Sequence, residues 1–191
     1  METPANIDYN SIKQKLCLDR TKEGMQKRLE VFNQMDTNKN GFLSFSEVAK
    51  GIKDVLGIPE IYAKKEVIKK AFDAARDSVK NSKSNSKDFI EKNEFRYLLV
   101  YLRQFIEFSE MFGKIDNNGD KKINLDEFQD AVPTIERWGL KVADASKAFA
   151  EIDQDGSGKV RFDEFCSWAI KNKLDIEDDD DFTDDCLKNL K

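Results

Sequence analysis

Oxygen-bearing side chains recur at a fixed spacing in three 12-residue stretches, which begin at Asp36, Asp116 and Asp153. In each stretch, positions 1, 3 and 5 carry Asp, Asn or Ser, and position 12 is Glu. Alternate residues of a tight loop can direct oxygen atoms at one centre, and a Glu at the end can supply two more. A hard cation such as Ca²⁺ takes about six to eight oxygen ligands, whereas His and Cys favour softer metals. The three stretches therefore predict calcium sites.

The main-chain carbonyl of position 7 is expected to complete each set of ligands, whatever its side chain. Two or three bound Ca²⁺ ions are expected per chain. The predicted ligands are Asp36, Asn38, Asn40, Phe42 and Glu47 in the first stretch, Asp116, Asn118, Asp120, Lys122 and Glu127 in the second, and Asp153, Asp155, Ser157, Lys159 and Glu164 in the third.

The residues that flank each stretch are typical of the EF-hand, in which the loop joins two helices. A Phe lies four residues before each loop and another apolar residue lies directly before it, so both share one face of an entering helix. Position 8 is Leu43, Ile123 or Val160, which suits short β-pairing between neighbouring loops. The predicted fold class is all-α, with two lobes of paired EF-hands and short β-pairing between the loops.

A degraded fourth copy lies between the first two loops, so the intact loops belong to hands one, three and four. Ile90 and Glu94 match positions 8 and 12, which places the start of the hand-two loop at Lys83. Lys83 and Lys87 then stand where carboxylates belong and would repel a cation. Hand two is expected to pair structurally and to bind no ion.

Ligand charge and turn chemistry rank hand four first, hand three second and hand one third. Hand four combines three carboxylates with Gly158 at the sharp turn, and its Arg161 is expected to point away from the ion. Hand three has Lys121 at the position of Gly158, where a residue with a Cβ carries a left-handed backbone penalty on the order of 1 kcal/mol. Hand one has Asp36 and Glu47 as its charged ligands.

The hands also divide the chain. Thr21 is the predicted N-cap of the first helix, and Pro59 is predicted to begin a long helix that continues to about Asp77. Residues 91–114 predict a nearly unbroken helix rich in Phe, Tyr and Leu. The predicted domains are an N-terminal extension (1–20), an N-terminal lobe with hands one and two (21–103), a C-terminal lobe with hands three and four (104–174) and an acidic tail (175–191).

Charge is unevenly placed along the chain. Residues 175–191 carry eight acidic residues against two lysines, so of the net charge of −5 the preceding residues contribute +1. A near-neutral body with a solvated acidic tail is not typical of a nucleic-acid binder. Residues 64–87 carry a net +5. A solvated helix face is one interpretation of that stretch, and an anionic partner or membrane surface is the other.

Composition excludes several classes of protein. The chain contains no His, no Gly-rich phosphate loop and no nucleophile elbow, so we do not expect an enzyme. No run of apolar residues is long enough to span a membrane, and the N-terminal residues lack the pattern of a signal peptide. The three cysteines form no C-x-x-C motif and are interpreted as free thiols in a reducing cytoplasm.

The chain resembles the flagellar calcium-binding protein (calflagin) family of protists, from about Tyr9 to Asp175. The most specific stretch is 131–142, Ala-Val-Pro-Thr-Ile-Glu-Arg-Trp-Gly-Leu-Lys-Val, and 71–76 and 94–96 are also similar to the family. The resemblance implies calcium-dependent sensing in a flagellum or cilium, with hands three and four as the best ion sites. Members often begin with Met-Gly, whereas this sequence begins Met1-Glu2, so N-myristoylation is not expected.

Three functions remain open for such a chain. The first is a calcium sensor that acts through a protein target or a membrane surface, when ion binding exposes an apolar groove. The second is a structural subunit of a cytoskeletal or axonemal assembly, and the third is a calcium buffer. The small number of methionines favours a dedicated protein partner over many targets.

Overall fold

The structure, a computed structural model, describes residues 9–77 and 88–174. The acidic tail and the predicted start of the hand-two loop at Lys83 lie outside these residues. Helices account for most of the described chain, as the sequence predicted. The elements are α1 (Tyr9–Lys15), α2 (Lys22–Met35), β1 (Leu43–Ser44), α3 (Phe45–Asp54), α4 (Pro59–Tyr62), α5 (Lys65–Asp77), β2 (Phe89–Ile90), α6 (Phe95–Ile115), α7 (Leu125–Arg137), α8 (Ala145–Ile152) and α9 (Phe162–Lys171).

The described residues form two compact units, one that ends at Gln104 and one that begins at Phe105. The first unit contains α1 to α5, both strands and the first half of α6. The second unit contains the rest of α6 together with α7 to α9. Each unit therefore holds one pair of helix–loop–helix elements.

Polar side chains begin several of the helices, because the first backbone amides of a helix have no partner within it. The Thr21 hydroxyl accepts a hydrogen bond from the Gly24 amide at 3.0 Å, which confirms Thr21 as the N-cap of α2. Asp144 caps α8 in the same way, through the Lys147 amide at 3.0 Å. These caps fix where the helices that enter hands one and four begin.

In the first unit, the loops of hands one and two are joined by a short antiparallel sheet. Leu43 of β1 lies opposite Ile90 of β2, and both side chains are fully buried. This register confirms the β-pairing predicted from position 8 of the two loops. In the same unit, Phe32 of α2 and Phe95 of α6 pack edge-to-face, with ring centroids 5.3 Å apart.

Close approach of α2 and α3 depends on one glycine. A Cβ on Gly51 would lie 2.4 Å from Cγ of Met35, so a larger residue would displace that buried side chain. Gly51 thus allows the helices on either side of the hand-one loop to pack directly against each other.

In the second unit, the loops of hands three and four are joined by one β-bridge. Ile123 and Val160 exchange both main-chain hydrogen bonds at 2.8 Å, again at position 8. Apolar rings from the flanking helices pack around this bridge. Phe112 contacts Phe165 at 5.6 Å between centroids, and Phe128 contacts Trp168 at 6.0 Å. The aromatic residues predicted to flank the loops therefore form the core.

The prediction of one continuous helix from Pro59 to Asp77 is wrong. The structure ends α4 at Tyr62 and begins α5 at Lys65. The Lys64 amide bonds to the Ile61 carbonyl at 2.9 Å, which closes a tight turn between the two helices. The break lets α4 and α5 pack on α3 separately, and the side chain of Ile61 in α4 is fully buried.

Residues 9–15 form α1, a helix that the sequence did not predict within the N-terminal extension. Ile12 and Leu16 are buried, and the Lys15 ammonium donates to the Gly57 carbonyl at 2.8 Å. The buried Arg28 of α2 donates to the carbonyls of Cys17 and Asp19, both at 2.6 Å. These contacts join the segment after α1 to the first unit.

Among the described residues, no helix combines the length and the apolar character needed to cross a membrane.

Candidate metal centres

The first ligand position organises all three loops in the same way. Its Asp carboxylate accepts a hydrogen bond from the main-chain amide of position 6, so the loop closes around that carboxylate. The Oδ2 atoms of Asp36, Asp116 and Asp153 lie 2.8, 3.0 and 2.8 Å from the amides of Gly41, Lys121 and Gly158.

Each loop needs a left-handed backbone at positions 4 and 6. Hand four has glycine at both positions, whereas hands one and three each have one glycine and one lysine. Glycine adopts this conformation without the steric cost that a Cβ adds. Hand four therefore has the least strained loop of the three. The φ angles at positions 4 and 6 are 57° and 83° for Lys39 and Gly41, 72° and 64° for Gly119 and Lys121, and 67° and 76° for Gly156 and Gly158.

Position 3 also bonds to its own loop. The side-chain oxygen accepts from the amide two residues later, which is the local turn that Asn and Asp favour. A carboxylate at this position has a second oxygen for another partner, whereas an amide has one oxygen and a nitrogen that donates. The Oδ1 atoms of Asn38, Asn118 and Asp155 lie 2.9, 2.8 and 3.0 Å from the amides of Asn40, Asp120 and Ser157.

The Glu at position 12 is placed by the start of the exiting helix. Its Oε2 atom accepts from the main-chain amide of position 9, which is the return half of a capping box. In hands one and three, Ser44 and Asn124 complete the box with their side chains. In these two hands, the sequence signal for the capping box is Ser or Asn at position 9 together with Glu at position 12. The distances from Oε2 to the position-9 amide are 3.0 Å for Glu47, 2.8 Å for Glu94, 3.0 Å for Glu127 and 2.9 Å for Glu164.

Hand four brings its carboxylates together. Among the described residues, Asp153, Asp155 and Glu164 offer oxygen atoms that all lie within 4.8 Å of one another. The Ser157 hydroxyl lies beside them and donates to the Lys159 carbonyl at 2.9 Å. Three carboxylates at this separation repel one another, and a divalent cation between them would remove that repulsion. The atoms that could bind an ion are all oxygens, so the residues present fit Ca²⁺.

Arg161 does not point away from these carboxylates, so that prediction is wrong. Its Nη2 atom lies 2.5 Å from Oδ2 of Asp155. The guanidinium offsets part of the repulsion, which explains why it turns towards the loop. The pKa of Asp155 is lowered, first by hydrogen bonding from Ser157 and then by the charge of Arg161.

Hand three satisfies its ligands from within the protein. The amide nitrogen of Asn118 donates to Oε1 of Glu127 at 2.6 Å. Lys159, from the hand-four loop, donates to Oδ2 of Asp120 at 3.0 Å. Hydrogen bonding from Lys159 is the main reason that the pKa of Asp120 is lowered. Asp116, Asp120 and Glu127 thus meet donor groups instead of one another.

Hand one places two carboxylates at its loop. Asp36 is buried, and Glu47 accepts hydrogen bonds from the hydroxyls of Thr37 at 3.1 Å and Ser44 at 2.8 Å. Desolvation raises the pKa of Glu47, but the hydrogen bonds from Ser44 and Thr37 outweigh it and the net shift is downward. The exposed ring of Phe42 lies 6.3 Å from that of Phe89 in the loop of hand two.

Hand two keeps the helix cap of an EF-hand, but the Glu that forms the cap is deeply buried. Glu94 is only 1% exposed, and desolvation raises its pKa. A carboxyl group that burial shifts towards the neutral form is a poor ligand for a cation. The described part of hand two contributes the helix cap and the pairing of β2 with β1, and the absence of an ion at this hand stays a prediction.

The predicted ligands thus lie in loops of the expected shape, and their occupancy by calcium stays a prediction. Sequence reasoning missed three side chains that contact these ligands. They are Thr37, Lys159 and Arg161. Opposite charge at nearby loop positions is the signal that could have indicated the last two.

Comparisons with known proteins place the chain in a family. The family model described as the FCaBP EF-hand domain matches residues 12–102, and that of an EF-hand domain pair matches residues 109–170. The flagellar calcium-binding protein of Trypanosoma cruzi is 39% identical over 91% of this chain and 83% of its own length. The chain belongs to the flagellar calcium-binding protein family. This confirms the resemblance inferred from the residues.

A second trypanosome relative agrees with this family. The flagellar calcium-binding protein TB-24 of Trypanosoma brucei brucei is 36% identical over 92% of this chain and 81% of its own length. A solved structure of a Leishmania major homolog of programmed cell death 6 protein is 22% identical over 76% of this chain and 75% of that chain, with a TM-score of 0.40. The family assignment rests on the trypanosome sequences.

Proposed function

We propose that this protein is a calcium sensor of the flagellum or cilium, in which hands three and four bind Ca²⁺. The observation that carries the proposal is the convergence of Asp153, Asp155 and Glu164 within 4.8 Å. Such a set of oxygen donors matches the preference of Ca²⁺, and the relatives are named for calcium binding. Hand four is the strongest site in this proposal, and hand one is the weakest.

Position 12 couples ion capture to movement. Glu164 is the third residue of α9, and both of its oxygens accept main-chain amides of the loop, from Gln154 at 3.0 Å and Arg161 at 2.9 Å. Bidentate binding of an ion requires these oxygens to turn towards the centre of the loop, which draws the start of α9 with them.

The helix that would move carries core residues. Phe165 directly follows Glu164, and its ring contacts Phe112 of α6 at 5.6 Å and Trp168 at 5.9 Å. Movement of α9 away from α6 would open this packing and expose apolar surface to a partner. An ion-dependent apolar groove is the usual way in which sensor EF-hands recruit target helices.

A protein target is the partner that we favour. The second candidate is an anionic membrane surface bound through residues 64–87. In the described part of that stretch, Lys69 pairs with Asp73 at 2.6 Å, and Arg76 pairs with Asp73 and Asp77 at 3.1 and 2.9 Å. Pairing within the helix reduces the charge available to lipid headgroups, which favours the protein target.

Calorimetry and dye binding on the full chain test the sensor proposal. We expect saturable calcium binding and a calcium-dependent rise in fluorescence of a dye that binds apolar surface. The variant Glu164→Gln should lose most of the fluorescence response, whereas the control Glu136→Gln, on the exposed face of α7, should keep it. Calcium binding without any dye response would identify a buffer. Retention in detergent-extracted flagella at every calcium level would favour a structural subunit.

A further inference from the structure

Two basic side chains of the hand-four loop contact ligand carboxylates in the second unit. Arg161, at position 9, stays within its own hand and contacts Asp155 at 2.5 Å. Lys159, at position 7, crosses to hand three and contacts Asp120 at 3.0 Å. The β-bridge between Ile123 and Val160 holds the two loops side by side, which brings Lys159 within reach.

Asp120 and Asp155 each divide their two oxygen atoms between the loop backbone and a cationic side chain. Oδ1 of Asp120 accepts the Lys122 amide of its own loop at 2.9 Å, and Oδ2 accepts from Lys159. Asp155 shows the same division: Oδ1 accepts the Ser157 amide and Oδ2 accepts from Arg161. In both hands the carboxylate oxygen that is not used by the loop backbone is paired with a cationic side chain.

We propose that Lys159 sets the calcium affinity of hand three by holding Asp120 from the neighbouring hand. This inference rests on the proposed function, since it assumes that hand three binds Ca²⁺. An ion at hand three would compete with the Lys159 ammonium for the charge and the oxygen atoms of Asp120. Lys159 thereby acts as an internal competitor and lowers the affinity of hand three.

The same residue connects the two hands. The carbonyl of Lys159 is the predicted position-7 ligand of hand four, and the Ser157 hydroxyl donates to it at 2.9 Å. Its main chain therefore belongs to one ion site, and its side chain holds a ligand of the other. Loading of hand four fixes the main chain from which the ammonium reaches Asp120, so the state of hand four affects the competition at hand three.

The size of the effect follows from exposure. The Lys159 and Asp120 side chains are 47% and 38% exposed, so water and salt screen their attraction. Exposed ion pairs change equilibria by about 1.5- to 5-fold, and the change shrinks as ionic strength rises. Lys122 provides a matched control, because it carries the same charge at position 7 of hand three and contributes less to the lowered pKa of Asp120.

Calorimetry in a Glu164→Gln background, which disables hand four, isolates hand three in the full chain. We expect Lys159→Met to raise the calcium affinity of hand three by about two- to five-fold at low salt, and Lys122→Met to raise it less. The difference between the affinity gains of the two variants should become smaller at high salt. An equal or larger effect of Lys122→Met would overturn the proposal, because general charge would then explain the change.

A second measurement examines the contact without calcium. In a chelator, thermal unfolding of Lys159→Met, Asp120→Asn and the double variant forms a double-mutant cycle. Non-additive shifts in the unfolding midpoint of the second unit support the contact, and additive shifts overturn it. If calorimetry of the unsubstituted chain shows no heat of calcium binding, the proposed function is refuted. If calcium binds but Lys159→Met leaves the affinity unchanged, this inference alone is refuted.

Discussion

Position 3 is Asn118 in hand three and Asp155 in hand four. This single difference decides whether the side chain at position 3 can donate a hydrogen bond to the Glu at position 12. The Asn118 amide donates to Glu127 at 2.6 Å. Asp155 has no side-chain proton to give, so in hand four Asp153, Asp155 and Glu164 converge within 4.8 Å. In hand three the side chain at position 3 donates to the Glu at position 12, whereas in hand four the three carboxylates lie close together although each also accepts hydrogen bonds from its loop.

Carboxylates that lie within 4.8 Å of one another gain more from a cation than carboxylates that lie farther apart. The ion-free state of hand four contains repulsion that Arg161 offsets only in part. In hand three, the contacts of Asn118 with Glu127 and of Lys159 with Asp120 must break before an ion can bind. The comparison therefore predicts that hand four fills first, and three sets of variants examine it.

The largest effect is expected from the Glu at position 12. Glu164→Gln and Glu127→Gln should each weaken calcium binding at their own hand by at least about 10- to 100-fold, which is the loss that even outer-shell partners of metal ligands cause. Calorimetry should show that Glu164→Gln removes the tighter binding event and Glu127→Gln the weaker one.

Removal of the tighter event by Glu127→Gln would reverse the ranking of the two hands. The surface variant Glu136→Gln serves as the control, and its titration should match that of the unsubstituted chain.

An exchange at position 3 gives the next largest effect. Asn118→Asp adds a charge at hand three and removes the donor to Glu127, and Asp155→Asn does the opposite at hand four. One charge about 4 Å from a divalent ion contributes on the order of 2 kcal/mol even at the dielectric constant of water. We expect affinity changes on the order of 30-fold, upward for Asn118→Asp and downward for Asp155→Asn, in calorimetric titrations.

Chelator conditions check the physical reason for that exchange. Without calcium, Asn118→Asp should lower the unfolding temperature of the second unit, because it adds a fourth carboxylate to a loop that already holds Asp116, Asp120 and Glu127. A higher unfolding temperature in the chelator would contradict the role assigned to the Asn118 amide.

The smallest effect concerns backbone strain at position 6. Lys121 adopts φ of 64° in hand three, where hand four has Gly158. Lys121→Gly should relieve strain on the order of 1 kcal/mol and raise the unfolding temperature of the ion-free second unit slightly, because glycine also gains freedom in the unfolded chain. Lys121→Ala, which keeps the Cβ, is the matched control, and a gain of equal size with alanine would show that charge and not strain is responsible.

The sequence predicted the parts of the fold that repeat. Apolar residues before each loop and at position 8 lie in the core, and Leu43 pairs with Ile90 as expected. Helix α1 was missed because Ile12 and Leu16 give only two apolar positions, and their burial depends on packing against the first unit. The break between α4 and α5 was missed for a similar reason, since the tertiary packing of both helices on α3 overrides the helical pattern.

The contacts around the predicted ligands were less accessible to sequence reasoning. Spacing fixes which residues share a loop, but it does not fix which of two nearby carboxylates a long side chain will contact. Lys159 reaches Asp120, 39 residues earlier, only because the bridge between the loops sets their separation. Arg161 turns inward because the carboxylates of hand four attract it, a consequence of geometry that the ligand pattern alone does not give.

Two main-chain amides give the most direct measurement of the central claim that hands three and four bind calcium. Gly158 and Lys121 donate from position 6 to Asp153 at 2.8 Å and to Asp116 at 3.0 Å, so their amide resonances report on each loop separately. In a calcium titration followed by two-dimensional NMR of the full chain, we expect the Gly158 signal to shift at lower calcium than the Lys121 signal. If both signals stay unchanged at saturating calcium, the account is contradicted.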